Sequence, residues 1–309
     1  MKRPRLAPLA RWSRTGCVLL LGVALAGCSA VKLAYNNLPE LGYWWLDGYV
    51  DFNSGQTPRV REQLAALLES HRRNELPKFQ SLLEKAAAQA PADVTASEVC
   101  AVGDEVRDRL LAIALEAAKP GAELVASLDE TQLRQVERKY AKNNATYARD
   151  WLERSVAQQH QKRYQDFLDR SEDFYGSLDN SQRQWLREAV DRSIFDPRRV
   201  DAERRQRQQE SLALLRRFSR QSAPVPEVRA AIEAYAQRIA HPPTGAWQAY
   251  QQALLQESCA NIAALHQLTR PDQRERAARR LMGYARDVRE LIATPRPSPS
   301  RLPSEQLAP

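Results

Sequence analysis

Glycine is scarce in this chain, 11 residues in 309, and runs of β-branched residues are absent. Both absences argue against a β-sheet. Histidine is also rare: His71, His160, His241 and His266 are the only four. None sits in an HExxH motif or in the Glu-x-x-His spacing of carboxylate-bridged di-metal bundles. No GxSxG, GxGxxG or P-loop is present. The sequence therefore offers no metal, no small-molecule cofactor and no catalytic residue, and reads as a protein that is not an enzyme. An enzyme whose residues meet only in space stays open as an alternative. The apolar run at residues 16–26, GCVLLLGVALA, is too short to span a membrane, which takes roughly 20 apolar residues.

That run has a different meaning in its context. Lys2, Arg3, Arg5, Arg11 and Arg14 precede it with no acid among them, and Leu25–Ala26–Gly27–Cys28 closes it. A charged stretch, a short apolar stretch and small residues at its end make residues 1–27 a secretory signal peptide. LAGC resembles the lipobox of bacterial lipoproteins. The resemblance implies cleavage before Cys28, a diacylglycerol thioether on its sulfur and an N-acyl chain. Two or more chains suffice for stable anchoring, where one does not. Ser29, standing where an aspartate retains such proteins at the inner membrane, implies the periplasmic face of the outer membrane. An ordinary cleaved signal with an incidental Cys28 is the alternative.

Export changes the charge and the cysteine count. The formal charge of +8 loses five basic residues with the signal, leaving 41 basic against 38 acidic residues, or +3. The basic pI is thus mostly a property of the signal, and nucleic acid is not an expected partner. Cys17 leaves with the signal and Cys28 is acylated, so Cys100 and Cys259 remain in an oxidising compartment. A disulfide between them is the simple inference. Two separate buried thiols are the alternative.

The 282 mature residues read as an all-α protein, an irregular bundle of seven to ten helices with one or two long ones and no sheet. Four segments are expected: the signal at 1–27, an anchor-proximal aromatic segment at 28–57, a helical domain at 58–293 and a disordered Pro/Ser-rich tail at 294–309. The aromatic segment carries Tyr35, Tyr43, Trp44, Trp45, Tyr49 and Phe52. It suits either an interfacial belt at the headgroup level or a helix packed on the core. Val60, Leu64, Leu67, Leu68 and His71 keep helical spacing, and Pro77 should break that helix. Thr95-x-x-Glu98 is a capping box opening a helix that Pro120–Gly121 should end. Residues 130–175 contain no Pro or Gly and predict one helix about 70 Å long, or two with a break near Asn143–Asn144. Gly176 is its natural stop.

SLDETQ at 127–132 recurs as SLDNSQ at 177–182. Asp129 and Asp179 can cap helices while Gln132 and Gln182 reach back from the third position. LTRPDQ at 268–273 is a looser copy, with one extra residue when the leucines are aligned, and FNSGQ at 52–56 is a weak fourth. Repeated use of a good helix start accounts for all of them without a binding role. Residues 198–220 carry eight arginines against Asp201, Glu203 and Glu210. Arg204, Arg205, Arg207, Arg216 and Arg217 are candidates for binding lipid headgroups, lipopolysaccharide or an acidic partner; a solvated helix face is the blander reading.

The lipobox, YNNLPELGYWWLDGYVDF at 35–52 and HRRNELPKF at 71–79, followed by SLDxxQ segments, resemble a family of helical bacterial outer-membrane lipoproteins known only as a domain of unknown function. That resemblance covers nearly all of the mature chain and implies no activity. The SLDxxQ segments also look like the LTxxQ elements of small periplasmic chaperones, with Asp in place of Thr. The expected function is that of a lipid-anchored, non-catalytic periplasmic protein that binds another, unidentified protein, as a chaperone or envelope factor does. Its membrane contact is through the anchor. Lipid or lipopolysaccharide handling is the runner-up.

Overall fold

A computed structural model describes residues 32–220 and 223–293. Cys28, the signal and the tail at 294–309 lie outside the described residues. After a helical stretch at 32–36 come eleven α-helices and one π-helical turn, with no strand among the described residues. They are α1 (Leu38–Val50), α2 (Gln56–Asn74), α3 (Leu76–Gln89), α4 (Ala96–Val125), α5 (Glu130–Tyr147), the π turn (Ala148–Leu152), α6 (Val156–Tyr175), α7 (Asn180–Asp191), α8 (Pro197–Arg220), α9 (Val225–Ala240), α10 (Ala246–Gln267) and α11 (Pro271–Ala293). The chain is all-α, as expected, with slightly more helices than the sequence suggests.

Helix starts organise the packing. Two consecutive helix pairs, α1–α2 and α4–α5, form one module: α1 packs on α5, and α2 on α4. Two further pairs, α6–α7 and α10–α11, repeat the plan, with α6 on α11 and α7 on α10. The first module closes over Tyr43, Val50, Phe52, Val60, Leu133 and Val136. The anchor-proximal segment and the helical domain beyond it share this core. The second module closes over Leu168, Leu178, Leu186 and Leu265. The modules are joined by α3 lying along α11 and by the 30-residue α4 packing on α9 and α10. A disulfide between Cys100 and Cys259, with Cα atoms 5.4 Å apart, crosses the α4–α10 contact. That spacing lies inside the 4.4–6.8 Å range of bridged cysteines. Arg72, 4 % exposed, adds a polar tie: its guanidinium donates to the Leu291 carbonyl at 2.6 Å and to Asn36 Oδ1 at 2.9 Å.

Two helix boundaries differ from the sequence expectation. Pro120 does not end α4, which runs on to Val125. Its next turn is packed, with Ala122 and Val125 against Phe218 and Val228, and that burial outweighs the cost of the hydrogen bond proline removes, about 3 kcal/mol. The long helix does break, but at residues 148–155 rather than at Asn143–Asn144. Ser155 caps α6 through a capping box with Gln158, a start signal of the same form as the others. Asn143 and Asn144 instead bond sideways. Asn143 donates to the Tyr49 hydroxyl at 2.8 Å, and Asn144 exchanges amide bonds of 2.8 and 3.0 Å with Gln208 of α8. Gly176 stops α6 with φ +75°, a left-handed conformation that favours glycine.

Candidate functional site

The four Gln-terminated boxes meet in two pairs. Gln132 Oε1 accepts the Asp129 N–H at 3.1 Å, completing its own capping box, while its amide donates across to Gln56 Oε1 at 2.7 Å and to the Asp51 carbonyl at 3.2 Å. Gln56 returns the pattern: its Oε1 accepts the Asn53 N–H at 3.2 Å, and its amide donates to Gln132 Oε1 at 3.3 Å and to the Ser127 carbonyl at 3.0 Å. In the second module Gln182 donates to Gln273 Oε1 at 2.8 Å and to the Leu268 carbonyl at 2.9 Å; Gln273 answers at 3.1 Å to Gln182 Oε1 and 3.1 Å to the Ser177 carbonyl. All four glutamines are buried. Each carboxamide thereby fills both its donors and both its acceptors.

The register also corrects the third copy. Asp51, Ser127, Ser177 and Leu268 all offer the receiving carbonyl, and the next residues, Phe52, Leu128, Leu178 and Thr269, are all buried. Leu268 therefore aligns with the serines, and no residue is extra. Capping alone does not account for these boxes, because their amides also lock one helix pair to the next.

Beside the second junction, His266 is 3 % exposed and joins three elements. Its Nδ1 lies 2.9 Å from the Tyr175 hydroxyl and its Nε2 2.8 Å from the Ala92 carbonyl. A carbonyl can only accept, so Nε2 carries the proton and Nδ1 accepts from Tyr175. Burial lowers the His266 pKa and pushes that of Tyr175 up to about 12. The pair is a neutral brace for the 90–95 loop.

The arginine-rich helix α8 is partly neutralised by its own acids and by those of packed helices. Arg204 and Arg205 both reach Asp201, at 2.9 and 2.6 Å. Arg207 meets Glu203 at 2.7 Å, Arg217 meets Glu227 at 2.9 Å, and Arg216 is paired with Glu137. All five sequence candidates thus have an acidic partner in the chain, which supports the blander reading of the run.

A half-buried arginine without such a partner lies elsewhere. Arg163 on α6 makes no hydrogen bond or ion pair with the described residues. Its guanidinium carbon stands 4.4 Å over the Phe195 ring and 5.5 Å from the Phe167 ring. Burial lowers its pKa, against the pull of Glu257. Glu257 itself is engaged by the Ser193 hydroxyl and, at 2.8 Å, by the Ile194 N–H. Arg163 stands at a groove between α6 and α10 floored by α7 and lined by Phe167, Leu186, Val190, Ile262 and Leu265. Phe167 and Ile262 are exposed. The groove encloses only about 70 Å³. An apolar cleft near His266 holds about 180 Å³. Three larger clefts, of about 440, 360 and 450 Å³, have mixed linings that include Asp104, Arg107 and Gln251 in the first, Gln63, Glu116 and Pro120 in the second, and Glu137, Asn144 and Gln208 in the third. Among the described residues no three His, Cys, Asp or Glu side chains gather as a metal site requires, and no helix is long and apolar enough to cross a membrane.

A family of unknown function (DUF6279) matches residues 48–225, more than half of the chain. The chain belongs to this family. Comparison with curated proteins and with solved structures returned no match. The DUF6279 region contains the whole first junction, Gln56 with Gln132, and the arginine-rich helix. It contains Gln182 and Arg163 but neither Gln273 nor Ile262, and Cys100 but not Cys259. The second junction, the disulfide and the α10 wall of the groove each need residues beyond the region matched. Sequence reasoning missed Arg163. The one local signal was Arg163-x-x-x-Phe167, a spacing that puts both side chains on one helix face.

Proposed function

We propose that this chain is a lipid-anchored, non-catalytic protein on the periplasmic face of the bacterial outer membrane, and that it binds another protein there as a chaperone or assembly factor does. The anchor is the acylated Cys28 left after removal of residues 1–27. The observation that carries protein binding is the groove at α6, α7 and α10. It offers exposed apolar walls and, at one end, a partly desolvated guanidinium with no partner among the described residues, able to take a carboxylate or main-chain carbonyls. At about 70 Å³ it is too small to enclose a lipid or other small-molecule ligand, whose sites run from roughly 300 Å³. An extended or helical peptide segment laid along it suits its open shape. Lipid handling through α8 has less support, since its candidate arginines are already paired.

Photo-crosslinking in intact cells tests this reading. A photoreactive residue at Ile262 or Phe167 should give a discrete protein adduct that is absent when it is placed at exposed Leu110. Arg163→Ala should weaken the adduct and Arg163→Lys should retain part of it. Adducts that are equal from all three positions, or that contain lipid only, would overturn it. Acyl-chain labelling of wild type and Cys28→Ser checks the anchor separately.

A further inference from the structure

Helix α1 has two apolar faces, and the described residues cover only one. Tyr43 and Val50 are buried, with Leu46 and Tyr49 beside them in the first core. On the other side Leu38, Leu41, Trp44 and Trp45 are 44, 52, 64 and 63 % exposed, and Leu33 just before them is 66 % exposed. At 3.6 residues per turn, Leu38, Leu41, Trp44, Trp45 and Gly48 fall within an arc of about 120°. No charged residue of α1 lies inside that arc; Glu40 lies beyond its edge. Two adjacent exposed tryptophans are a large apolar feature for a water-facing surface. The indole is amphipathic and settles at the headgroup level of a bilayer. Lys139 Nζ sits 5.2 Å from the Tyr49 ring centre and comes close to Gly48, setting a cation at the end of the stripe.

The sequence supplies the occupant. Leu33 follows Cys28 by five residues, and a chain spans at most ~3.5 Å per residue, so Leu33 lies within about 18 Å of the cysteine. We propose that the Leu38–Leu41–Trp44–Trp45 face lies in the headgroup region of the same bilayer that holds the acylated Cys28. This rests on the lipid-anchor reading above. The protein then has two membrane contacts, the acyl chains and an interfacial helix. Because α1 is built into the first core, its contact fixes the orientation of the body rather than leaving it to swing on a tether.

The test uses the mature acylated protein in phosphatidylcholine–phosphatidylglycerol vesicles carrying lipids brominated near the headgroup. Tryptophan emission should be quenched and blue-shifted. Trp44→Phe with Trp45→Phe, which keeps Trp151, Trp185 and Trp247, should lose most of the quenching. Intact mass of the same sample reports the acyl chains. Acyl chains present with no quenching would overturn the docked face and leave the anchor standing. If Cys28 carries no lipid, the anchor fails and the mature chain from Ser29 decides the face. Vesicle binding reduced about tenfold by Trp44→Ser with Trp45→Ser would support it, and no vesicle binding would overturn it. A concentration-dependent dimer abolished by the same pair, without quenching, would assign the face to a second copy and also overturn the proposal.

Discussion

Replacing Gln182 with alanine removes one of two interlocked carboxamides. It leaves the Asp179 N–H, the Leu268 carbonyl and one donor and one acceptor of Gln273 without partners. A buried polar group left unmade costs about 1–3 kcal/mol. Water entering the vacated space recovers part of that, so the expected loss is about 3–5 kcal/mol, near the top of the range for one substitution. Gln273→Ala orphans the mirror-image set, with the Arg270 N–H and the Ser177 carbonyl. Each single change thus includes the cost of stranding the other amide. The double variant strands neither, and should be less destabilised than the sum by about 2 kcal/mol. Urea unfolding followed by far-ultraviolet circular dichroism measures the cycle, and Gln56 with Gln132 provides an independent repeat. Gln182→Glu extends the test. Its carboxyl, buried against Gln273 Oε1 and the Leu268 carbonyl, would have a raised pKa. The damage should therefore be least below the unfolded value of about 4.3 and grow as pH rises through it. Single losses that add to within ~0.5 kcal/mol in both pairs would refute the interlock.

The Cys100–Cys259 bridge closes a loop with a sequence separation of 159. The chain-entropy model gives about 5 kcal/mol for it, so reduction should lower the melting temperature and Cys100→Ser should match Cys259→Ser; two free thiols in unreduced protein isolated from cells would contradict the bridge. His266 is held neutral in the fold with a lowered pKa, and burial lowers that of His71 too. Both favour the folded state above the unfolded histidine value of about 6.5, and that contribution is lost as pH falls below it. Melting temperature should drop between pH 7.5 and 5, and His266→Gln should flatten the drop; an unchanged slope in that variant would dismiss the brace.

The sequence made the helix starts legible because capping is a local matter. Thr95 with Glu98, Asp129 with Gln132 and Asp179 with Gln182 lie three residues apart, and each forms the box that its residue types imply. What joins the boxes is not local. Gln56 and Gln132 are 76 residues apart, and Gln182 and Gln273 are 91 apart; nothing in either hexapeptide names its partner. Pro120 misled for a related reason: its breaking tendency is intrinsic, whereas the burial of Ala122 and Val125 that overrides it comes from α8 and α9. Arg163 was invisible because an unpaired arginine is defined by what fails to reach it. The arginine run at 198–220 was conspicuous, yet its acids stand three or four residues away on the same helix or on packed neighbours.

Residue choice at the third helical position carries the last step. Where the box faces solvent the third residue is Glu98 after Thr95 or Gln158 after Ser155, and each accepts its N-cap N–H, at 2.8 and 2.9 Å. At the four buried boxes it is glutamine every time. A carboxylate could complete each capping box equally well, since it too accepts a backbone N–H. It could not donate to the opposing carbonyl, and two carboxylates facing each other would bury like charges. A leucine would fill the space but strand the N-cap N–H and the facing carbonyl. Only a carboxamide both accepts from its own turn and donates to its partner's. The likeness of SLDxxQ to the LTxxQ elements of small chaperones is therefore strongest at a position whose identity the junction itself dictates. That shared glutamine speaks for capping and for how helix pairs are locked together, and carries no information about a client. The proposed client site lies on the surface, at Arg163, Phe167 and Ile262, where no such packing requirement accounts for an exposed apolar wall and a guanidinium unpaired among the described residues.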